Sequence, residues 1–190
     1  MENTLSRKAN RIMTYFDTLR HGAIWIPEFK KVDSIEAAAH YINIPHEDFP
    51  DRVNDTQTAL NYAKNMMIMQ GYEPAYSHHL EFLHEIVFGR DPKNESHAGK
   101  FRLGNVRVTT HVAPDWSLVP KLMKELEWRY PILDTIELLK EWYADFCTIH
   151  PFQDGNERVS GIVVAAISHY LGINTDNNTD NKGTWLTPLQ

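Results

Sequence analysis

The sequence predicts a mainly α fold, a helical bundle with one small β-hairpin, on three observations. Apolar side chains recur at three- and four-residue spacing through most of the chain. A single stretch, residues 101–112, has the β-branched composition of strands. Glycine and proline, 9 and 10 of the 190 residues, punctuate the helical stretches and do not gather into a linker.

Each element follows from its own spacing. Ala59, Tyr62, Ala63, Met66 and Met67 mark a first helix, in which Met66, Met67 and Met69 read as ordinary packing. Leu80, Leu83 and Val87 mark a second. His78, His79 and His84 lie on it, but no pair has the i, i+4 spacing of a helical zinc site, so they read as a solvated face. Phe101 to Val112 reads as the hairpin, with Gly104-Asn105 as a pair able to turn it. Leu118, Leu122, Leu126 and Tyr130 mark a third helix, with Ser117 as its expected cap beside Trp116. Leu133, Ile136, Leu139, Tyr143 and Phe146 mark a fourth, which places Cys147 on the apolar side as a buried thiol. Val159 to Leu171 is apolar nearly all round, as befits a helix in the middle of a bundle. Residues 1–173 are expected to form one domain with its core at about 59–171, and 174–190 a polar tail.

Composition narrows the function. The 19 Lys+Arg against 25 Asp+Glu give a net charge of −6, which argues against a duplex nucleic-acid binder, since that needs a basic face. No run is long enough to span a membrane, and Met1 to Arg11 lacks the apolar region of a signal peptide, so the expected location is the cytoplasm. One cysteine excludes an internal disulfide framework and a Cys-rich zinc site.

The chemistry gathers in Ile149-His150-Pro151-Phe152-Gln153-Asp154-Gly155-Asn156-Glu157-Arg158, at the start of the buried helix. A helix N-terminus offers unpaired N–H groups and the positive end of a dipole to an anion. Gly155 allows close backbone approach, and Asn156 can cap the helix. Arg158 offers a planar fork to phosphate oxygens, and Asp154 the hard oxygen that Mg²⁺ takes alongside substrate phosphates. His150 can accept a proton from an attacking hydroxyl, and Phe152 is expected to anchor the loop in the core. Together they describe transfer of a phosphate-containing group to a hydroxyl.

This segment resembles the Fic family motif, His-x-Phe-x-(Asp/Glu)-Gly-Asn-Gly-Arg-x-x-Arg. Upstream, Ala98-Gly99-Lys100-Phe101-Arg102 is similar to the Gly-x-(Tyr/Phe)-Arg stretch that opens the family's β-hairpin flap, and Trp128 also fits. The resemblance implies a Fic-like bundle and Mg²⁺-dependent transfer of AMP from ATP to a target-protein hydroxyl. It makes His150 the general base and Asp154 the Mg²⁺ ligand, with Gly155, Asn156, Glu157 and Arg158 along the phosphates. The target protein would dock on the flap as an added strand, and a separate antitoxin-like inhibitor is a further implied partner.

Two positions depart from the motif. Glu157 stands for the second glycine and Gly161 for the final arginine. A carboxylate ~4 Å from a phosphate charge costs about 4 kcal/mol at an effective dielectric of 20. Doc-like phosphoryl transfer, another nucleotide donor, or a weakly active binding protein therefore stand as alternatives. Val32-Asp33-Ser34-Ile35-Glu36-Ala37 echoes the family's inhibitory helix only in part. With Gly161 in place of arginine, Glu36 would lack its partner, so intact self-inhibition is not expected.

Overall fold

The structure, a computed structural model, describes residues 51–70, 75–108 and 111–172. Among these, α1 spans Arg52–Gln70 and α2 Ser77–Phe88. The strands β1 (Arg107–Val108) and β2 (His111–Val112) follow, then a 3-10 turn at Trp116–Leu118. The chain ends its described part with α3 (Val119–Arg129), α4 (Ile136–Ile149) and α5 (Asn156–Tyr170). The fold is mainly α with one small antiparallel hairpin, as the spacing predicts. The Glu36 stretch and the tail at 174–190 lie outside the described residues.

Helix α5 is the centre. Every residue from Val159 to Ser168 is buried, and α1, α4 and α2 all pack against it. An all-apolar helix can be satisfied only in this way, because each exposed Val or Ile would forgo about 1.5–3 kcal/mol of burial. Helix α1 turns Ala59, Leu60, Ala63 and Met67 inward, and α2 turns Leu80, Leu83 and Val87 inward. From α4 come Leu139, Trp142, Phe146 and Cys147. Burial pushes the Cys147 thiol up to about 12, so it is an inert core group. Among the described residues, no helix is long and apolar enough to cross a membrane.

Two local expectations are corrected by tertiary partners. Ser117 is not the cap. The cap position of α3 is Leu118, which makes no side-chain cap bond, and Asp115 caps the 3-10 turn before it, accepting hydrogen bonds from the Ser117 N–H at 2.9 Å and its hydroxyl at 2.6 Å. The reversal of the hairpin is not at Gly104-Asn105 either. Arg107 pairs with Val112 and Val108 with His111, which puts it between Val108 and His111. Asn105 is occupied elsewhere: its Oδ1 accepts from the Trp116 N–H at 3.0 Å and its Nδ2 donates to Asp115 at 3.3 Å. That tie fixes the root of the hairpin to the start of α3.

Candidate active site

The last turn of α4 sets the site. Its terminal carbonyls need partners outside the helix. The flap supplies them. Arg102, 3% exposed, donates from Nε to the His150 carbonyl at 2.8 Å and from Nη2 to that of Ile149 at 3.4 Å. His111 Nε2 donates to the Thr148 carbonyl at 2.9 Å, and the Arg102 N–H donates to Pro151 O at 2.9 Å. A guanidinium at the negative end of the helix is favourable for the dipole as well. The flap and the end of α4 are thus one hydrogen-bonded unit.

His150 closes α4 in the left-handed conformation, φ 51°, and is the only non-glycine with positive φ among the described residues. Such a residue costs about 1–2 kcal/mol and persists only where its surroundings hold it. Here Arg102 holds its carbonyl, and its own N–H donates to Phe146 O at 2.9 Å. Burial, then the neighbouring His111 and Arg102, push the imidazole down to about 4. At neutral pH the ring is neutral. A neutral imidazole has one ring nitrogen without a hydrogen, and that nitrogen can accept a proton.

The following loop is held from within. Phe152 is fully buried, as expected, among Phe101, Phe146 and His84. Asn156 does not cap α5. Its Oδ1 accepts from the Phe152 N–H at 2.8 Å and its Nδ2 donates to Phe152 O at 2.9 Å, so the side chain staples the loop. The cap position is Gly155, which has no side chain to cap the first turn of α5. Gly155 has φ 75°, and a Cβ there would stand 2.2 Å from two carbons of the Phe88 ring. Asp154 is exposed, and its Oδ1 accepts from the Gly155 N–H at 2.7 Å.

Charged groups from two helices surround this turn. Arg158, half-buried, reaches Thr56 of α1 at 3.4 Å. Arg52 and Arg158 feel each other, and both feel the Asp154 carboxylate. Arg52 is buried against Asp91 and over the Phe88 ring. Burial, then the Asp154 charge, pushes Glu157 above the usual carboxylate range. Gly161 is buried one turn further along α5. The structure therefore brings His150, Asp154, Gly155, Glu157 and Arg158 to one end of the bundle. Asn156 contributes only its backbone there.

The histidines of α2 need a correction. His78 is exposed, but His79 and His84 are 7% and 2% exposed, so the face is not solvated. His84 lies against the loop, its Nδ1 accepting from the Gly99 N–H at 3.0 Å and its Nε2 meeting Asp154 O at 3.1 Å. Burial pushes this ring down to about 4 as well. Trp128 is half-exposed on α3.

Asp154 suits Mg²⁺ in one specific way. Among the described residues no three His, Cys, Asp or Glu side chains converge on a metal position. An exposed carboxylate at a helix start fits a hard cation that takes its other ligands from phosphate and water. Asp154→Ala should accordingly weaken Mg²⁺-nucleotide binding about tenfold or more while sparing metal-free nucleotide binding. Calorimetry with and without Mg²⁺ checks this, and equal losses in both would make Asp154 a turn residue.

A helical bundle with a hairpin flap stapled to a His-x-Phe-x-Asp-Gly-Asn turn defines a class of protein, and comparison with known sequences agrees. The Fic/DOC family model matches residues 74–168, and the chain belongs to that family. A crystal structure of a Fic family protein from Desulfovibrio desulfuricans G20 is similar, with a TM-score of 0.52 and 19% identity. The similarity covers 87% of this chain and 57% of that one, so this chain spans less than two thirds of its length. No curated protein matches. Membership supports a Fic-type nucleotide transfer function in general.

Proposed function

We propose that the protein transfers AMP from ATP, with Mg²⁺, to a hydroxyl side chain of a target protein. The observation that carries this reading is His150: a buried, neutral imidazole in a strained conformation, four residues before an exposed aspartate and a helix whose cap position is a glycine. The acceptor nitrogen of His150 takes the proton of the target hydroxyl. The hydroxyl oxygen then bonds to the α-phosphorus, the bond from that phosphorus to the bridging oxygen breaks, and pyrophosphate leaves. Asp154 would hold Mg²⁺, which supplies charge neutralisation at the phosphates. The α5 N–H groups and Arg158 orient the phosphate oxygens. The hairpin edge receives the target as an added strand, which brings its hydroxyl towards His150. Intact-mass analysis of lysate proteins incubated with Mg²⁺ and ATP tests the reading. An adenylyl increment on Ser, Thr or Tyr is expected, and a phosphoryl increment would overturn it.

One observation favours a second reading. Glu157 is half-buried beside Asp154, and Gly161 offers no γ-phosphate partner, which suits Doc-like phosphoryl transfer or another donor. Glu157→Gly separates the two. If ATP adenylylation is slowed by this carboxylate, the variant should transfer the α-phosphate several-fold faster, because a charge is removed and the backbone is freed. A small stability loss, about 1 kcal/mol at most, accompanies glycine in a helix first turn. A fall in rate would assign Glu157 a positive role and favour the second reading.

A further inference from the structure

His84, 2% exposed, is a buried polar side chain beside the site that the proposed reaction does not use. Its ring lies between Phe88 and Phe152, with centroids 4.6 and 4.2 Å away and planes inclined by 20° and 18°. Both ring nitrogens are engaged. A backbone N–H can only donate, so Nδ1, which receives that of Gly99, is unprotonated. A carbonyl can only accept, so Nε2, which meets Asp154 O, carries the hydrogen. The two partners fix one neutral tautomer with no freedom left.

The partners themselves are informative. Gly99 begins the stretch that runs into Arg102 and the flap, and its left-handed φ of 68° turns its N–H back towards α2. A Cβ at Gly99 would lie 3.1 Å from Glu85 Cβ, so the chain passes α2 too closely for a side chain to be added without displacement. Asp154 is the candidate metal ligand, and His84 holds it by its carbonyl, leaving the carboxylate outward.

We propose that His84 is a positioning residue that joins the root of the flap to the Asp154 turn, so that target docking and phosphate binding share one fixed geometry. This rests on the reading of Asp154 as the Mg²⁺-phosphate end of the site. The hydrogen bond to Asp154 O sets the direction of the carboxylate, and the bond to Gly99 sets the height of the flap above His150. Neither contact touches substrate.

Three variants test it, with Mg²⁺-ATP and metal-free ATP as probes and circular dichroism as the check on folding. His84→Phe keeps the ring between Phe88 and Phe152 and loses both hydrogen bonds. It should bind Mg²⁺-ATP about tenfold more weakly, the scale of one lost hydrogen bond, with metal-free ATP unchanged. His84→Gln can restore the donor to Asp154 O and should recover most of the Mg²⁺-dependent affinity. His84→Asn can restore the acceptor for Gly99 and should recover only the slow hydrogen exchange of the Gly99 amide. A purely structural role predicts equal weakening of both probes and no rescue, and that result overturns the proposal. The Gly99 amide exchange and the imidazole nitrogen shifts are read without nucleotide. If the wild-type protein showed no Mg²⁺ preference, the proposed function would fail. The junction is still judged by exchange: at least tenfold faster at Gly99 in His84→Phe supports it, and an unchanged rate overturns it.

Discussion

His150→Ala should reduce transfer by about 10²- to 10⁴-fold, the range that a positioned general base contributes. The structure changes what else to expect of this variant. His150 is only 9% exposed and left-handed, so alanine there removes ring packing and keeps the backbone penalty. His150→Asn is the cleaner partner, because asparagine tolerates the left-handed region and cannot act as the base. Both variants should be inactive, with the asparagine protein melting closer to wild type. If either kept near-wild-type rates in an α-labelled ATP assay, the role of His150 would be wrong. The pH dependence follows from the same ring. A base must be deprotonated, and burial pushes His150 down to about 4, so its inflection in the rate should fall near 4 and none near 6.5. Stability moves in the same window. His84 and His150 are both lowered, so the unfolded chain binds protons more readily than the folded one. Stability should therefore rise with pH between about 4 and 6.5, by roughly 3 kcal/mol for each ring. Melting curves taken beside the rates separate loss of the base from loss of the fold.

Gly155→Ala should destabilise the protein by about 2–5 kcal/mol. The left-handed backbone accounts for about 1–2 kcal/mol of this, and forcing a methyl into a filled space for about 1–3. The space is filled by Phe88, whose ring carbons lie 2.2 Å from where that methyl would be, so one of the two must move. Phe88 also underlies His84 and Arg52, hence the movement should disturb Asp154 together with the turn. The double variant Gly155→Ala with Phe88→Leu offers a check. It should show a favourable coupling that relieves the packing part and leaves the backbone part. Denaturant unfolding measures both. A loss below about 0.5 kcal/mol for Gly155→Ala would contradict the packing described.

Elements set by their own apolar spacing were legible in the sequence. Helix α5 has one solution for so apolar a run, and the inward faces of α1, α2 and α4 follow the three-four spacing. Phe152 and Cys147 are buried for the same reason. Polar side chains are less legible, since their partners are decided by the fold. Asn156 has the right type and position for a cap, but the Phe152 backbone four residues earlier uses both ends of its amide. Ser117 does not cap α3, and its own N–H is held by Asp115, two residues before it. Arg102 and His84 meet their loop carbonyls across 48 and 70 residues, a separation at which no local pattern carries information. Two features did hint at them. A glycine and an arginine near a strand start mark a flap that must be anchored, and a histidine among Leu80, Leu83, Val87 and Phe88 on α2 is more easily buried than three histidines in sequence suggest.

His150 is expected to direct the α-phosphate of ATP onto a protein hydroxyl. Paired incubations of the wild-type protein with lysate, Mg²⁺ and either α- or γ-labelled ATP test it most directly, with His150→Asn as the control. Protein-bound label is expected from the α position only, absent with His150→Asn and absent without Mg²⁺. Protein-bound label from the γ position, or α-label that survives in His150→Asn, would contradict it.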